Sequence, residues 1–122
     1  MFELTIHQLG RVPYDEALEL QRRLQRAVID GRGPNGEPGA QHLVLLEHEP
    51  VITISRRPSA RQHLRATNEL LSAAGVTVAE TDRGGDITYH GPGQLVVYPI
   101  LDLNLLDVRM HGYLRFLESI VI

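Results

Sequence analysis

The run Arg83-Gly84-Gly85-Asp86-Ile87-Thr88-Tyr89-His90-Gly91-Pro92-Gly93-Gln94 gathers the residues of this chain best suited to chemistry. Glycine lacks a Cβ, tolerates positive φ and lets a ligand approach the backbone, so Gly84-Gly85 and Gly91-Pro92-Gly93 mark two sharp turns around a short strand. Side chains alternate along a strand, which puts Asp86, Thr88 and His90 on one face and Ile87 and Tyr89 on the other. One face offers a carboxylate, a hydroxyl and an imidazole beside the guanidinium of Arg83; the other offers packing. Backbone donors next to glycine can hold an anionic or polar ligand oxygen. By itself the segment also reads as a plain β-hairpin with two glycine turns.

Other reactive residues are fewer. His48 lies between Glu47 and Glu49 at the end of an apolar run, a position as common for a structural histidine as for a functional one. Arg56 and Arg57 could meet an acidic partner surface, or simply solvate a strand end. The six histidines include no i, i+4 pair of the zinc-protease kind, and His42 and His48, which could share a strand face, read as structural; no metal centre is expected. Gly-x-Ser-x-Gly and Walker-type phosphate loops are missing. The chain has no cysteine, and all twelve basic residues are arginine, so disulfides, thiolate metal sites, and thiolate or lysine nucleophiles are excluded within it.

These residues need a scaffold, and 122 residues with 43% hydrophobic content suffice for one small domain spanning 1–122. A net charge of −3 with scattered arginines gives no basis for a nucleic acid partner. No apolar run spans a membrane, and no leader pattern is visible, so a cytoplasmic location is expected. The pattern predicts a strand at Phe2 to Ile6, then a helix after Pro13 with Ala17, Leu20, Leu24, Ala27 and Val28 on one stripe. Gly31 to Gly39 reads as an exposed loop. Leu43 to Leu46 and Val51 to Ser55 read as neighbouring strands of one sheet, followed by a helix at about Asn68 to Ala74 and a strand at Val76 to Glu80. After the signature hairpin come a strand at Gln94 to Leu101 and a final helix capped by Asp107, with Met110, Leu114, Leu117 and Val121 on one stripe. That helix runs into Ile120-Val121-Ile122 with no glycine or basic last turn, so the reading is of an amino-terminal part of a longer domain.

The Gly-rich run closely resembles the signature of the lipoyl(octanoyl) transferases, the lipoate-protein ligase B family. So do Leu9-Gly10 with Pro13-Tyr14, Leu45-Leu46-Glu47-His48-Glu49-Pro50-Val51, and Gln94-Leu95-Val96 with Tyr98-Pro99, in the same order. The resemblance implies an α/β (α+β) domain like the catalytic domain of biotin and lipoate protein ligases, a mixed sheet with packed helices, incomplete at the carboxy terminus. It implies transfer of an octanoyl group from acyl carrier protein to the lysine of lipoyl domains, those of 2-oxoacid dehydrogenases and of the glycine cleavage H protein, with no cofactor. Carried over position by position, Arg83, Gly84, Gly85, Asp86, Ile87, Thr88, Tyr89 and His90 bind substrate, Gly91 and Gly93 shape the turn behind them, and His48 joins the pocket. The family's cysteine, which forms the acyl thioester, and the lysine beside it belong to a carboxy-terminal half, so this chain alone is expected to be inactive. The rival readings are an ATP-dependent lipoate or biotin ligase, against which the His90 to Gln94 ending argues, a lipoyl amidotransferase, and a non-catalytic acyl or carrier-protein binding module.

Overall fold

The structure, a computed structural model, describes residues 3–107 and 109–122, with Leu106 described for its backbone only. Phe2, the expected start of the first strand, lies outside the described residues. Among the described residues the order is β1 (Leu4–Val12), α1 (Tyr14–Asp30), β2 (Gln41–His48), β3 (Val51–Ser55), a 3-10 turn (Arg61–His63), α2 (Asn68–Ala73), β4 (Thr77–Thr81), β5 (Ile87–His90), β6 (Val96–Ile100), α3 (Leu103–Leu106) and α4 (Met110–Val121). The strands form two three-stranded sheets, ordered β1-β2-β6 and β4-β3-β5. The fold is therefore the expected mixture of helices and sheet, with the strands divided between two sheets.

That division corrects the expectation that β2 and β3 are neighbours in one sheet. Only Glu49 and Pro50 separate them, and each is committed elsewhere. The Glu49 N–H donates to the Val12 carbonyl at 3.3 Å, while Pro50, which has no N–H of its own, accepts from the Thr77 N–H at 3.1 Å. The chain thus leaves one sheet and enters the other within two residues.

In the second sheet β3 is central. It pairs in parallel with β4, Val51 opposite Thr77 and Ser55 opposite Thr81. It pairs antiparallel with β5, Val51 opposite His90 and Thr53 opposite Thr88. Because β4 and β5 flank β3 on opposite sides, and β6 belongs to the other sheet, the signature strand forms no hairpin with either sequence neighbour. The Gly84-Gly85 turn is a crossover past the end of β3.

By density of contacts the chain divides into two units, Met1–His7, Leu20–Val44 and Tyr98–Ile122 in one, and Gln8–Glu19 and Leu45–Val97 in the other. In the second unit Ala17, Leu46, His48, Val51, Thr53, Ile54, Ala60 and Leu71 are buried. The β-branched residues of β3 suit a strand covered on both faces. The start of α1 is set by Pro13, whose carbonyl accepts from the Ala17 N–H at 3.1 Å, and by Asp15 and Glu16, which complement the positive end of the helix dipole. Thr67 caps α2, its Oγ1 accepting from the Leu70 N–H at 3.2 Å.

In the first unit Val28, Val44, Gln41 and Asp102 are buried. The Asp102 carboxylate caps α3, accepting from the Asn104 N–H at 3.1 Å and from Arg32 Nε at 2.6 Å and Nη2 at 3.3 Å. Its backbone N–H donates to Gln41 Oε1. The Arg32 hydrogen bonds, ahead of the other influences on it, hold the Asp102 carboxyl below the usual carboxylate range. The loop predicted at Gly31 to Gly39 is exposed for most of its length, yet this ion pair anchors it.

Asp107, expected to cap the last helix, instead ends α3 in the left-handed region at φ 48°. It thus belongs to the end of that short helix and not to the start of α4, whose N-cap is Arg109 without a side-chain cap bond. The predicted stripe on α4 finds no covering surface among the described residues: none of its residues is buried, and Met110, Leu114, Phe116, Ile120 and Val121 are exposed. No described helix is long and apolar enough to cross a membrane.

Candidate functional site

β5 sits at the edge of its sheet, and its register on β3 decides which groups meet. Cross-strand partners share a face, so Thr88 and His90 lie on the side of Thr53 and Val51, both fully or almost fully buried. The Thr53 hydroxyl donates to the Thr88 carbonyl at 3.4 Å and accepts from Arg83 Nη2 at 2.6 Å. Arg83 Nη1 donates to the Gly84 carbonyl at 2.7 Å, and the Arg83 N–H to Thr81 Oγ1 at 3.3 Å. Thr88 and His90 thereby share one face, and the hydrogen bond to Thr53 brings Arg83 to it. Ile87 and Tyr89 point the other way, opposite Ile54 and Ile52, with Tyr89 more than half exposed.

The two turns use their glycines differently. Gly85 has φ +98° and Gly93 φ +92°, conformations that L side chains rarely adopt, whereas Gly84 and Gly91 are not among the positive-φ residues. At Gly91 an added Cβ would meet the hydroxyl end of the Tyr89 ring, which would have to move. The Gly85 carbonyl accepts from the Ser55 hydroxyl at 2.8 Å, and the Asp86 carbonyl from the Ser55 N–H at 2.9 Å, so the end of β3 fixes the crossover. The Asp86 side chain is engaged as well, its Oδ2 lying 2.5 Å from Nδ1 of His63 on the 3-10 turn.

A second cluster lies where β2 ends. His48 is fully buried, and its Nδ1 hydrogen donates to the Val12 carbonyl at 3.1 Å. Its ring centroid lies 5.3 Å from that of Tyr14 and 5.8 Å from that of His90. Burial, with the neighbouring His90 adding to it, pushes the His48 pKa below the ordinary histidine value, against the opposing effect of the Val12 bond, so the ring is neutral at pH 7. His90 Nδ1 lies 2.6 Å from Gln94 Oε1. Next to His48, Glu47 Oε1 accepts from the Gly93 N–H at 2.9 Å. An open groove of about 370 Å³ adjoins this turn, lined by Gln8, Gly10, Leu45, Leu46, Glu47, Gly93 and Leu95. Of the sequence-predicted residues only Gly93 lines that groove.

Arg56 and Arg57 are exposed beyond β3. His42 pairs with His7, Nδ1 to Nε2 at 3.1 Å, and among the described residues no group of three or more His, Asp or Glu is placed to hold a metal ion. Sequence reasoning assigned no part to Thr53, Ser55, Tyr14, Glu47 or Gln94. Tyr14, Glu47 and Gln94 stand inside Pro13-Tyr14, the Leu45–Val51 run and the Gly-rich run, respectively; Thr53 and Ser55 carry no local signal, since only the β3-β5 pairing makes them neighbours of the signature.

Residues 13–122 match the family model described as the lipoyl protein ligase A/B catalytic domain. Among curated proteins the chain is 44% identical over 122 residues to an octanoyltransferase of Solibacter usitatus, covering all of this chain and 52% of that protein. It is 51% identical over 100 residues to an octanoyltransferase of Acidobacterium capsulatum, covering 82% of this chain and 38% of that one. An octanoyltransferase of Roseiflexus sp. is 47% identical, with coverage of 100% and 48%. The chain spans about half the length of the curated relatives that it matches in full. Among solved structures, P. falciparum LipL1 in complex with lipoate aligns with a TM-score of 0.52 at 18% identity, covering 80% of this chain and 29% of that one, a likeness of fold.

Proposed function

Because this chain belongs to the lipoyl protein ligase A/B catalytic-domain family, we propose that it supplies the substrate-holding part of an octanoyltransferase. The octanoyl group comes from acyl carrier protein and goes to the lysine of a lipoyl domain, in the cytoplasm. A cysteine that takes the acyl group as a thioester, and a lysine that lowers its pKa, come from sequence that this chain does not contain; a thiolate both attacks and leaves thioesters readily near neutral pH when a cation sits beside it. The carrying observation is the Arg83–His90 segment, whose Arg83, Thr88 and His90 share a face while Gly85 holds a conformation open to close approach. In this reading Arg83 receives the polar end of the thioester, Gly84 and Gly85 let it near the backbone, and Thr88 and His90 line its path. Asp86, held by His63, orders the crossover, and Ile87 and Tyr89 lie on the opposite face. His48, Gly91 and Gly93 support the strand's far end.

The chain itself allows the test. Octanoyl-pantetheine added to the ¹⁵N-labelled chain is expected to shift the backbone amides of residues 83–90, and ATP to shift none of them. Shifts confined to other elements would overturn the site assignment, and ATP-dependent shifts would favour a ligase. Incubated with octanoyl-acyl carrier protein and a lipoyl domain, the chain is expected to give no octanoylated product; turnover would overturn the requirement for an external cysteine.

A further inference from the structure

We infer that Gln94 is a positioning residue that locks His90 in the Nδ1–H tautomer, so that His90 Nε2 presents a lone pair to the N–H of the acceptor amine. This deepens the acyl-transfer reading and rests on it for the identity of the amine.

The side-chain oxygen of glutamine only accepts hydrogen bonds, and it lies 2.6 Å from His90 Nδ1, so in the neutral ring Nδ1 carries the proton and Nε2 does not. The neutral imidazole of a free histidine favours the opposite arrangement, so a specific acceptor at Nδ1 is what selects this form. The lock is short-range: residues 90 and 94 are joined through the Gly91-Pro92-Gly93 turn, closed by the Gln94 N–H on the Gly91 carbonyl at 3.2 Å. Gly93 at φ +92° and its N–H on Glu47 Oε1 fix the same turn from the other side. His48, whose ring lies 5.8 Å from that of His90, also has its Nδ1 bound to an acceptor, the Val12 carbonyl at 3.1 Å, and so takes the same tautomer. A buried neutral neighbour places no cation beside His90.

The consequence is polarity along the signature. At its start Arg83 offers only donors, and at its end His90 Nε2 offers an acceptor. A thioester carbonyl fits the first and an incoming amine N–H the second. In the step this serves, the amine nitrogen attacks the thioester carbon and the C–S bond breaks. The amine proton passes to His90 Nε2 and from there to the departing thiolate, leaving an amide and a free thiol.

Long-range ¹H–¹⁵N correlation spectra of the ¹⁵N-labelled chain report the tautomer of each ring directly. His90 is expected in the Nδ1–H form, to switch to predominantly Nε2–H in Gln94→Leu, and to keep the Nδ1–H form in Gln94→Glu, which retains an oxygen acceptor. His48 serves as the internal control for folding, since its Val12 partner is untouched and its Nδ1–H form is expected in all three. An Nε2–H His90 in the unsubstituted chain, or no change in Gln94→Leu with His48 intact, would overturn the lock. N-acetyl-lysine methylamide, as the amine probe, is expected to shift His90 Nε2 in the unsubstituted chain and several-fold less in Gln94→Leu; equal responses, or none in either, would overturn the acceptor role. Failure of octanoyl-pantetheine to bind would count against the acyl-transfer reading and leave the tautomer result standing.

Discussion

Arg32 and Arg83 are held in opposite ways, one within each compact unit. Arg32 meets the carboxylate of Asp102 through two guanidinium nitrogens, and the two charges cancel. Arg83 is held as closely, at 2.6 and 2.7 Å, but by a hydroxyl and a carbonyl, and among the described residues no carboxylate pairs with it. Neutral acceptors orient a guanidinium while leaving its charge for something else. The first arrangement fastens a loop to a helix start; the second presents a cation, already oriented, on the face that carries Thr88 and His90.

Removing each arginine's role should therefore break different things. Arg83→Gln is expected to weaken octanoyl-pantetheine binding by roughly 10- to 100-fold, the weight of a hydrogen bond to a charged donor at about 1.5 to 3 kcal/mol, while leaving unfolding stability within about 0.5 kcal/mol. Arg83→Lys should rescue little, because a single ammonium nitrogen on a flexible stem does not reproduce the planar fork whose two nitrogens are held separately by Thr53 and Gly84. Titration calorimetry with denaturant unfolding checks both halves, and a large loss of stability would erase the distinction between the two arginines.

Asp102 tests the other side. Asp102→Ala removes the α3 cap and the anchor of Arg32, an expected cost of about 1 to 2 kcal/mol in denaturant unfolding, with octanoyl-pantetheine binding retained. The pH dependence follows from the direction of its shift. Asp102 is held below the usual carboxylate range in the fold, so the folded form binds its proton less readily than the unfolded chain. Its contribution is complete above the ordinary carboxylate pKa of about 3.9 and is lost as pH falls through the lower folded value. Asp102→Asn should flatten that acid limb of the stability curve.

The same pair shows what the sequence made legible. Arg83 stands in a run whose glycines and alternation announce a site, and α1, α2 and β3 to β6 follow from local periodicity and turn chemistry. Arg32 and Asp102 are seventy residues apart with no motif around either, and the short helix that Asp102 caps has no amphipathic stripe to announce it, so only Asp107, ahead of the longer α4 stripe, reads as a cap. The separation of β2 from β3 was equally hidden. It depends on what Glu49 and Pro50 bond to, Val12 and Thr77, which lie far away in sequence. At the site, the order of residues along β5 was readable, while Thr53, Ser55 and Tyr14 became part of it only through strand pairing and packing.

The smallest effect bears on how Arg83 is oriented. Gly84 and Gly85 are adjacent, yet only Gly85 has positive φ, and a Cβ there would lie 2.8 Å from Arg83 Nη1, while one at Gly84 meets nothing within 4 Å. Gly85→Ala should cost about 1 kcal/mol of stability through backbone strain, and it should also displace the guanidinium, so that octanoyl-pantetheine binding weakens several-fold. Gly84→Ala should stay within about 0.5 kcal/mol and bind normally. The contrast separates two meanings of a double glycine. If both substitutions weaken binding equally, the turn matters as open space for the ligand, and the orientation of Arg83 by Thr53 and Gly84 is incidental; if only Gly85→Ala does, the turn acts on the ligand through the arginine that it holds.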